Sequence, residues 1–324
     1  MKIALPKQLE IRTVAPLISD IIDKSKKDVV ELDFSNIRFA RPAGAIYLAF
    51  WLRHLINSGN KNLIVPKPSG LITIVQSYLS HIGFWRYFDD GCDMTSAPPK
   101  SRGKYLPFTP INFPTLNDTL DSTKAHRAIE RQSRELARII TRIDENWDGL
   151  NRLLSYSLRE TIRNVLEHAA TDTCVVFGQN WANDVSEIVI ADTGIGIAKS
   201  LRSAFTVTNG QAALKLALRP GISSKLTDSN GNEWDEWDNA GFGLYMLSEI
   251  GRRLGQFLLM SDGHFVQQVR DSRLFGRAVQ PPGTLVAMKF EKISSADFRS
   301  LIEEIRLKGE NVISSQGRKS TRID

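Results

Sequence analysis

Glu160, Asn164 and His168 recur every four residues in the stretch SLRETIRNVLEHAA at positions 157–170. That interval places them on one face of a helix. Leu158, Ile162, Val165, Leu166 and Ala169 hold much of the remaining surface, so the helix is expected to be buried. A carboxylate one turn before a carboxamide, facing the same way, suits a hydrated magnesium ion and a water: the amide oxygen is a hard ligand, and the carboxylate can take a proton. The same spacing equally describes a solvated polar face.

Two later stretches change that balance. SEIVIA at 186–191 reads as a buried strand and runs straight into Asp192-Thr193-Gly194-Ile195-Gly196-Ile197. Gly241-Phe242-Gly243-Leu244 then opens an apolar helical pattern through Leu247 and Ile250. Glycines at 194 and 196 let the chain bend tightly and approach a ligand without an intervening side chain. Gly241 and Gly243 place helix amides where phosphate oxygens are held. Each piece alone has a plain alternative, since an Asp-Thr-Gly turn can simply end a strand.

Taken in order, the three stretches resemble the ATP-binding domain shared by gyrase, the heat-shock chaperones, histidine kinases and the MutL ATPases (the GHKL superfamily, or Bergerat fold). The resemblance covers about Leu150 to Phe290. It implies that ATP and Mg2+ are the cofactors. Asp192 then accepts from the adenine amino group, Gly194 and Gly196 shape the base pocket, and Thr284, after Gly283, lies on the adenine side. Gly241, Gly243 and Leu244 open the phosphate-facing helix. Glu160 is the general base, Asn164 the metal ligand, and His168 a packing position. The stretch departs from the commonest family form in one place, where Tyr245 stands instead of a glycine after Leu244. Between the boxes, Arg219–Ala240 reads as a lid. Lys225 there is expected to neutralise charge on the terminal phosphate, and Asp228, Glu233, Asp235, Glu236 and Asp238 crowd around Trp234 and Trp237.

The elements that position these boxes begin with an N-terminal unit, residues 1–95. Val14, Leu17, Ile18, Ile21 and Ile22 form one helical stripe, VVELDF at 29–34 a strand, Ala43–Ile56 a helix, NLIV at 62–65 a strand and Leu71–Leu79 a helix. Strands separated by such helices imply crossover units and parallel pairing. ELDFSNIRFARPAGAIYLAF, SGNKNLIV and HIGFWRYF resemble a STAS domain, the fold of anti-sigma-factor antagonists. In that family a loop serine or threonine can be phosphorylated; here the loop is Phe39-Ala40-Arg41-Pro42-Ala43-Gly44, without a hydroxyl. Five prolines in residues 96–118 predict an extended linker. The ATP-binding unit is expected over 119–307, led by a helix at Leu120–Ile143 that either mediates a homodimer or packs on its own domain. His126 on that helix is followed by Arg127, not an acidic residue, and reads as a surface histidine. Strands are expected at Thr173–Trp181, Val185–Ala191, Gln256–Met260, His264–Arg270 and Thr284–Phe290. A helix carrying Leu301, Ile302 and Ile305 closes the unit, and residues 308–324 are expected to be a flexible tail. The fold class is therefore α/β (α+β): an N-terminal STAS-like sheet with helices, then a Bergerat α/β sandwich.

Composition agrees with a protein that buries ordinary cores. Of 324 residues, 42% are hydrophobic and 24% charged. No apolar run approaches the roughly 20 residues of a membrane helix, and MKIALPKQLEI lacks a signal peptide's apolar stretch, so no membrane association and a cytoplasmic location are expected. Two cysteines, Cys92 and Cys174, exclude a disulfide framework. The net charge of +6 permits nucleic-acid contact without arguing for it, because the basic clusters at Lys100–Lys104 and Gly317–Arg322 fall in linker and tail; nucleic acid is not an expected partner. The expected activity is ATP hydrolysis whose lid closure controls a protein partner. Alternatives are a serine/threonine kinase of the anti-sigma type, acting on a STAS-type partner, and a non-catalytic ATP-binding scaffold.

Overall fold

The structure, a computed structural model, describes residues 1–68, 73–87, 105–112, 119–141, 149–171, 173–222, 242–279, 283–291 and 295–320. In chain order these form β1 (Lys2–Ala4), β2 (Gln8–Leu9), α1 (Ile11–Ser25), β3 (Val30–Asp33), β4 (Phe39–Ala40), α2 (Pro42–Asn57), β5 (Leu63–Ile64), α3 (Ile74–His81) and α4 (Phe84–Tyr87). There follow β6 (Tyr105–Asn112), α5 (Thr119–Thr141), α6 (Gly149–His168), β7 (Thr173–Asn180), β8 (Val185–Asp192), α7 (Ile197–Leu201) and α8 (Gly210–Ala217). The chain ends with α9 (Gly243–Leu254), β9 (Gly255–Ser261), β10 (His264–Val269), β11 (Ser272–Arg277), β12 (Thr284–Glu291) and α10 (Ser295–Ser320). The class is mixed α/β.

A seven-stranded antiparallel sheet, ordered β11-β10-β9-β12-β8-β7-β6, is the platform. Its side chains alternate between two cores, as the strand period of two requires. Cys174, Val176, Ile188, Ile190, Leu259, Val286 and Met288 face the helices α5, α6, α9 and α10. Val175, Phe177, Val189, Ala191, Met260, Leu285 and Ala287 face the opposite way and join the core of the N-terminal residues. Both faces being buried explains the near-continuous apolar runs of β7 and β8.

The N-terminal unit holds a parallel sheet, β1-β3-β5, and a second parallel pair, β2-β4. Pro42 starts α2, where its missing N–H costs nothing. Gly44 lets that helix meet the main chain after β2: a Cβ there would come within 2.8 Å of the Glu10 Cα. The loop before α2 touches the large sheet. Arg41 Nη1 donates to Glu187 on β8 at 2.7 Å, and its Nε lies 3.5 Å from Glu10. The Arg41 guanidinium also stacks on Phe39, whose ring lies 5.9 Å from Trp181, while Tyr78 donates to Gln179 at 2.6 Å.

Burial pushes the Glu187 carboxyl above its ordinary range, and Arg41 pulls the other way. Removing Arg41 leaves a carboxylate only 5% exposed without its main counter-charge. A group with a raised folded pKa loses stability as pH rises through it. Arg41→Ala is therefore expected to lower stability by about 2 kcal/mol at alkaline pH and by less at acidic pH, because burial raises the Glu187 carboxyl. Thermal unfolding at the two pH values checks this; equal losses would show that the pair contributes packing only.

Two boundaries differ from the sequence reading. Residues 105–112, inside the stretch expected to be a linker, form the edge strand β6 on β7. Pro107 and Pro110 are tolerated because an edge strand has one side without ladder bonds, and the register shifts between Leu106 and Thr109. At the other end the helix does not stop at Lys308: α10 continues to Ser320. Gly309 there lies against α9, with the Phe242 ring 2.7 Å from where a Cβ would sit, and Ile313 joins the helix-side core. The strand β11 was not expected. The leading helix α5 packs on its own sheet: Ile129, Leu136, Ala137 and Ile139 are buried there, and Leu136 fills the space left by Gly178.

Candidate functional site

The helix α6 brings the predicted pieces together. Glu160 is 1% exposed, and its Oε2 accepts from Arg163 Nη2 at 2.9 Å. Asn164, one turn on, is partly exposed. Leu154, Leu158 and Ile162 anchor the other side of the helix in the core. Gly243, at the start of α9, lies directly on this helix: a Cβ would stand 2.8 Å from the Glu160 Cβ and 3.1 Å from the Ser157 carbonyl oxygen. Glycine is thus required for the first turn of α9 to reach the α6 backbone at Ser157 and Thr161. Leu244 follows, partly buried. Lys225 and Gly241 lie outside the described residues, as does the acidic tryptophan segment.

The Asp192 box docks at the far end of the same helix. Gly194 N–H donates to Asp192 Oδ1 at 2.7 Å, an Asx turn that fixes the carboxylate. Ile195 N–H donates to the Ala169 carbonyl at 2.7 Å, and a Cβ on Gly194 would come 2.5 Å from the Ala169 Cβ. From residue 160 to 169 a helix rises about 13 Å. The two glycine boxes therefore meet α6 near Glu160 and just past its C-terminal end, with Asn164 between them along the chain.

Gly196 does something the sequence did not disclose. Its φ is +80°, and the space a side chain would take is filled by Asp262, 2.6 Å away. Asp262 Oδ2 accepts from Ala198 N–H at 2.8 Å, and Ser261 Oγ accepts from Ile197 N–H at 2.9 Å. The start of α7 is capped from the β9–β10 turn, some 64 residues away in sequence, so no local pattern announced it. Ser261 Oγ also donates to the Gly283 carbonyl at 3.2 Å and lies 3.4 Å from Thr284 Oγ1. Gly283, with φ of +109°, brings the start of β12 against Asp192: a Cβ would fall 2.7 Å from the Asp192 carbonyl carbon. Thr284 thereby reaches the Asp192 carboxylate.

Asp192 is 3% exposed. Burial raises its carboxyl to about 7, partly offset by hydrogen bonding from Gly194 and Thr284, while Asp262 adds a small further rise. Cys174, beside it and fully buried, is raised well above its ordinary value by burial and by Asp192. A carboxyl balanced near neutral pH among a backbone N–H and a hydroxyl can exchange hydrogen bonds with a flat donor–acceptor edge such as that of a nucleobase. Ser261 and Asp262 are the supporting residues that the sequence reading missed.

The described residues contain no group of three or more His, Cys, Asp or Glu side chains that could hold a metal. A magnesium ion keeps several waters and takes one or two protein ligands beside substrate phosphates, so the single Asn164 carboxamide fits that ion. No helix among the described residues is long and apolar enough to cross a membrane. No protein-family model matches the chain, and no curated protein matches it.

Proposed function

We propose that the chain is a Mg-ATP-binding regulator of the GHKL type that hydrolyses ATP, preceded by a STAS-like domain. The observation that carries this reading is the seating of both glycine boxes on one helix: Gly243 against Glu160, and Gly194 against Ala169. Glu160 sits beneath the first turn of α9, where phosphate oxygens meet helix amides, and the buried Asp192 marks the base end. In this reading Asp192 accepts from the adenine amino group, and Thr284 completes the base edge. The α9 amides bind phosphate oxygens, and Glu160 takes the proton of the attacking water. Asn164 would hold Mg2+ through its amide oxygen; the ion supplies neutralisation of phosphate charge when bound.

Hydrolysis is favoured over phosphotransfer to the chain's own N-terminal unit by the Arg41 loop. That loop carries no hydroxyl between Phe39 and Gly44 and is held against Glu187 on the face of the sheet opposite α6. The test is incubation of the full chain with magnesium and gamma-labelled ATP, reading free phosphate and labelled protein together. Free phosphate without labelled protein is the expected result. Label appearing on a STAS-type protein added in trans would replace hydrolysis by kinase activity, and bound ATP with neither product would leave a nucleotide scaffold.

A further inference from the structure

Among the described residues the seven-stranded sheet ends at β11, which pairs with β10 on one side only. The two strands meet at a two-residue turn, Arg270-Asp271, with Val269 opposite Ser272. At the open end Ala278 N–H donates to the Gly263 carbonyl at 3.1 Å. Hydrogen-bonded and non-bonded pairs alternate along an antiparallel ladder, so Gly276, Leu274 and Ser272 spend their main-chain groups on β10. Arg273, Phe275 and Arg277 turn theirs outward. Among the described residues, three thus present N–H and C=O groups without a ladder partner along one edge, the template to which an extended chain adds.

The side chains say what kind of chain fits. Arg273, Phe275 and Arg277 share the helix-side face of the sheet. Among the described residues no carboxylate pairs with Arg273 or Arg277. With the Gln268 amide turned to satisfy both its ends, Arg273 donates to its oxygen at 2.9 and 3.0 Å, which fixes that guanidinium at the rim. Lys215 Nζ stands 5.0 Å from the centre of the Phe275 ring and adds a third cation. The nearby Asp271 is occupied by Arg252 at 3.2 Å. The other face is apolar: Leu274 is 56% exposed, and the Phe265 ring lies over Gly276, 2.5 Å from where a Cβ would be.

A second copy is a poor occupant. Antiparallel pairing of two β11 strands about Phe275 sets Arg273 opposite Arg277 of the other chain at both ends, and like charges directly opposite repel. We propose that β11 is a docking edge for an extended segment of a partner protein in which acidic and apolar residues alternate. Residues opposite Arg273, Phe275 and Arg277 share one face and are acidic; those opposite Leu274 and Gly276 share the other and lie on the Leu274–Phe265 patch. The edge arginines repel copies of the chain and admit an acidic strand. This inference is independent of the nucleotide reading.

The test uses the full chain and a fluorescent peptide, Glu-Val-Glu-Val-Glu-Val-Glu, followed by anisotropy. Two control peptides accompany it: the Lys-Val counterpart, and the acidic peptide N-methylated at each glutamate amide. N-methylation removes the donors that face the edge and keeps the charge. Saturable binding of the acidic peptide is expected, with at least about tenfold weaker binding of both controls. Arg273→Glu/Arg277→Glu is expected to weaken the acidic peptide by about tenfold as well. Absence of binding overturns the proposal, as does equal binding of the N-methylated peptide, which would reveal general charge attraction. If the arginine double variant fails to fold, the two control peptides on the unmodified chain decide alone.

Discussion

Glu160→Ala is expected to slow phosphate release from ATP by at least about a hundredfold, the lower end of what a positioned general base contributes, while Mg-ATP affinity changes by no more than about threefold. The asymmetry follows from where Glu160 sits. Its carboxylate is buried and fixed by Arg163 at 2.9 Å, and Gly243 brings the first turn of α9 onto its Cβ. In the proposed reading a group so placed would act on the water that attacks the phosphate and would leave the base end, about 13 Å along the helix, untouched. Glu160→Gln separates chemistry from packing, because it keeps the shape and loses the proton acceptor. It is expected to be as slow as the alanine variant, with a melting temperature lowered only by loss of the Arg163 ion pair. Recovery of activity in Glu160→Gln would assign Glu160 a packing role instead.

The second large effect concerns Asp192 and pH. Its carboxyl is raised from 3.8 to about 7, chiefly by burial. Below about pH 4 the folded and unfolded chains both hold the proton. Between there and about pH 7 only the folded chain holds it, so stability falls as pH rises across that window and then levels. A shift of about three units corresponds to about 4 kcal/mol. Asp192→Asn removes this dependence. The melting temperature of the variant, relative to the unsubstituted chain, is expected to climb between about pH 4 and pH 7 and then hold. A flat difference would mean that Asp192 is ionised throughout. A nucleotide amino group donating to Asp192 favours the ionised form, so Mg-ATP binding is expected to strengthen as pH rises through about 7.

The local parts of this arrangement were legible in the sequence, and the long-range parts were not. Four-residue spacing placed Glu160 and Asn164 on α6, and SEIVIA before Asp192 read correctly as a buried strand, because helix and strand periods are local properties. Asp262 caps α7 from another part of the chain, and Gly196 looked like a ligand-facing glycine when its free side is filled by that carboxylate. SEIVIA in β8 read as a buried strand, yet nothing in it named the N-terminal unit as the cover of one of its faces. Prolines argued for a linker at 105–112, but at a sheet edge proline is compatible with a strand. The polar sequence after Lys308 suggested fraying, whereas Gly309 and Ile313 tie that part of α10 to the body. In β11 the exposed leucine and arginines hid a strand that, among the described residues, pairs with β10 alone.

The most direct test of the central claim is calorimetric titration of Mg-ATP into the full chain and into Asp192→Asn, near pH 8. One site per chain is expected, weakened at least about tenfold by the substitution, the scale of losing one hydrogen bond to a charged group, in a variant that melts no lower than the unsubstituted protein. No binding to the unsubstituted chain, or equal binding to both, would contradict a nucleotide site at Asp192.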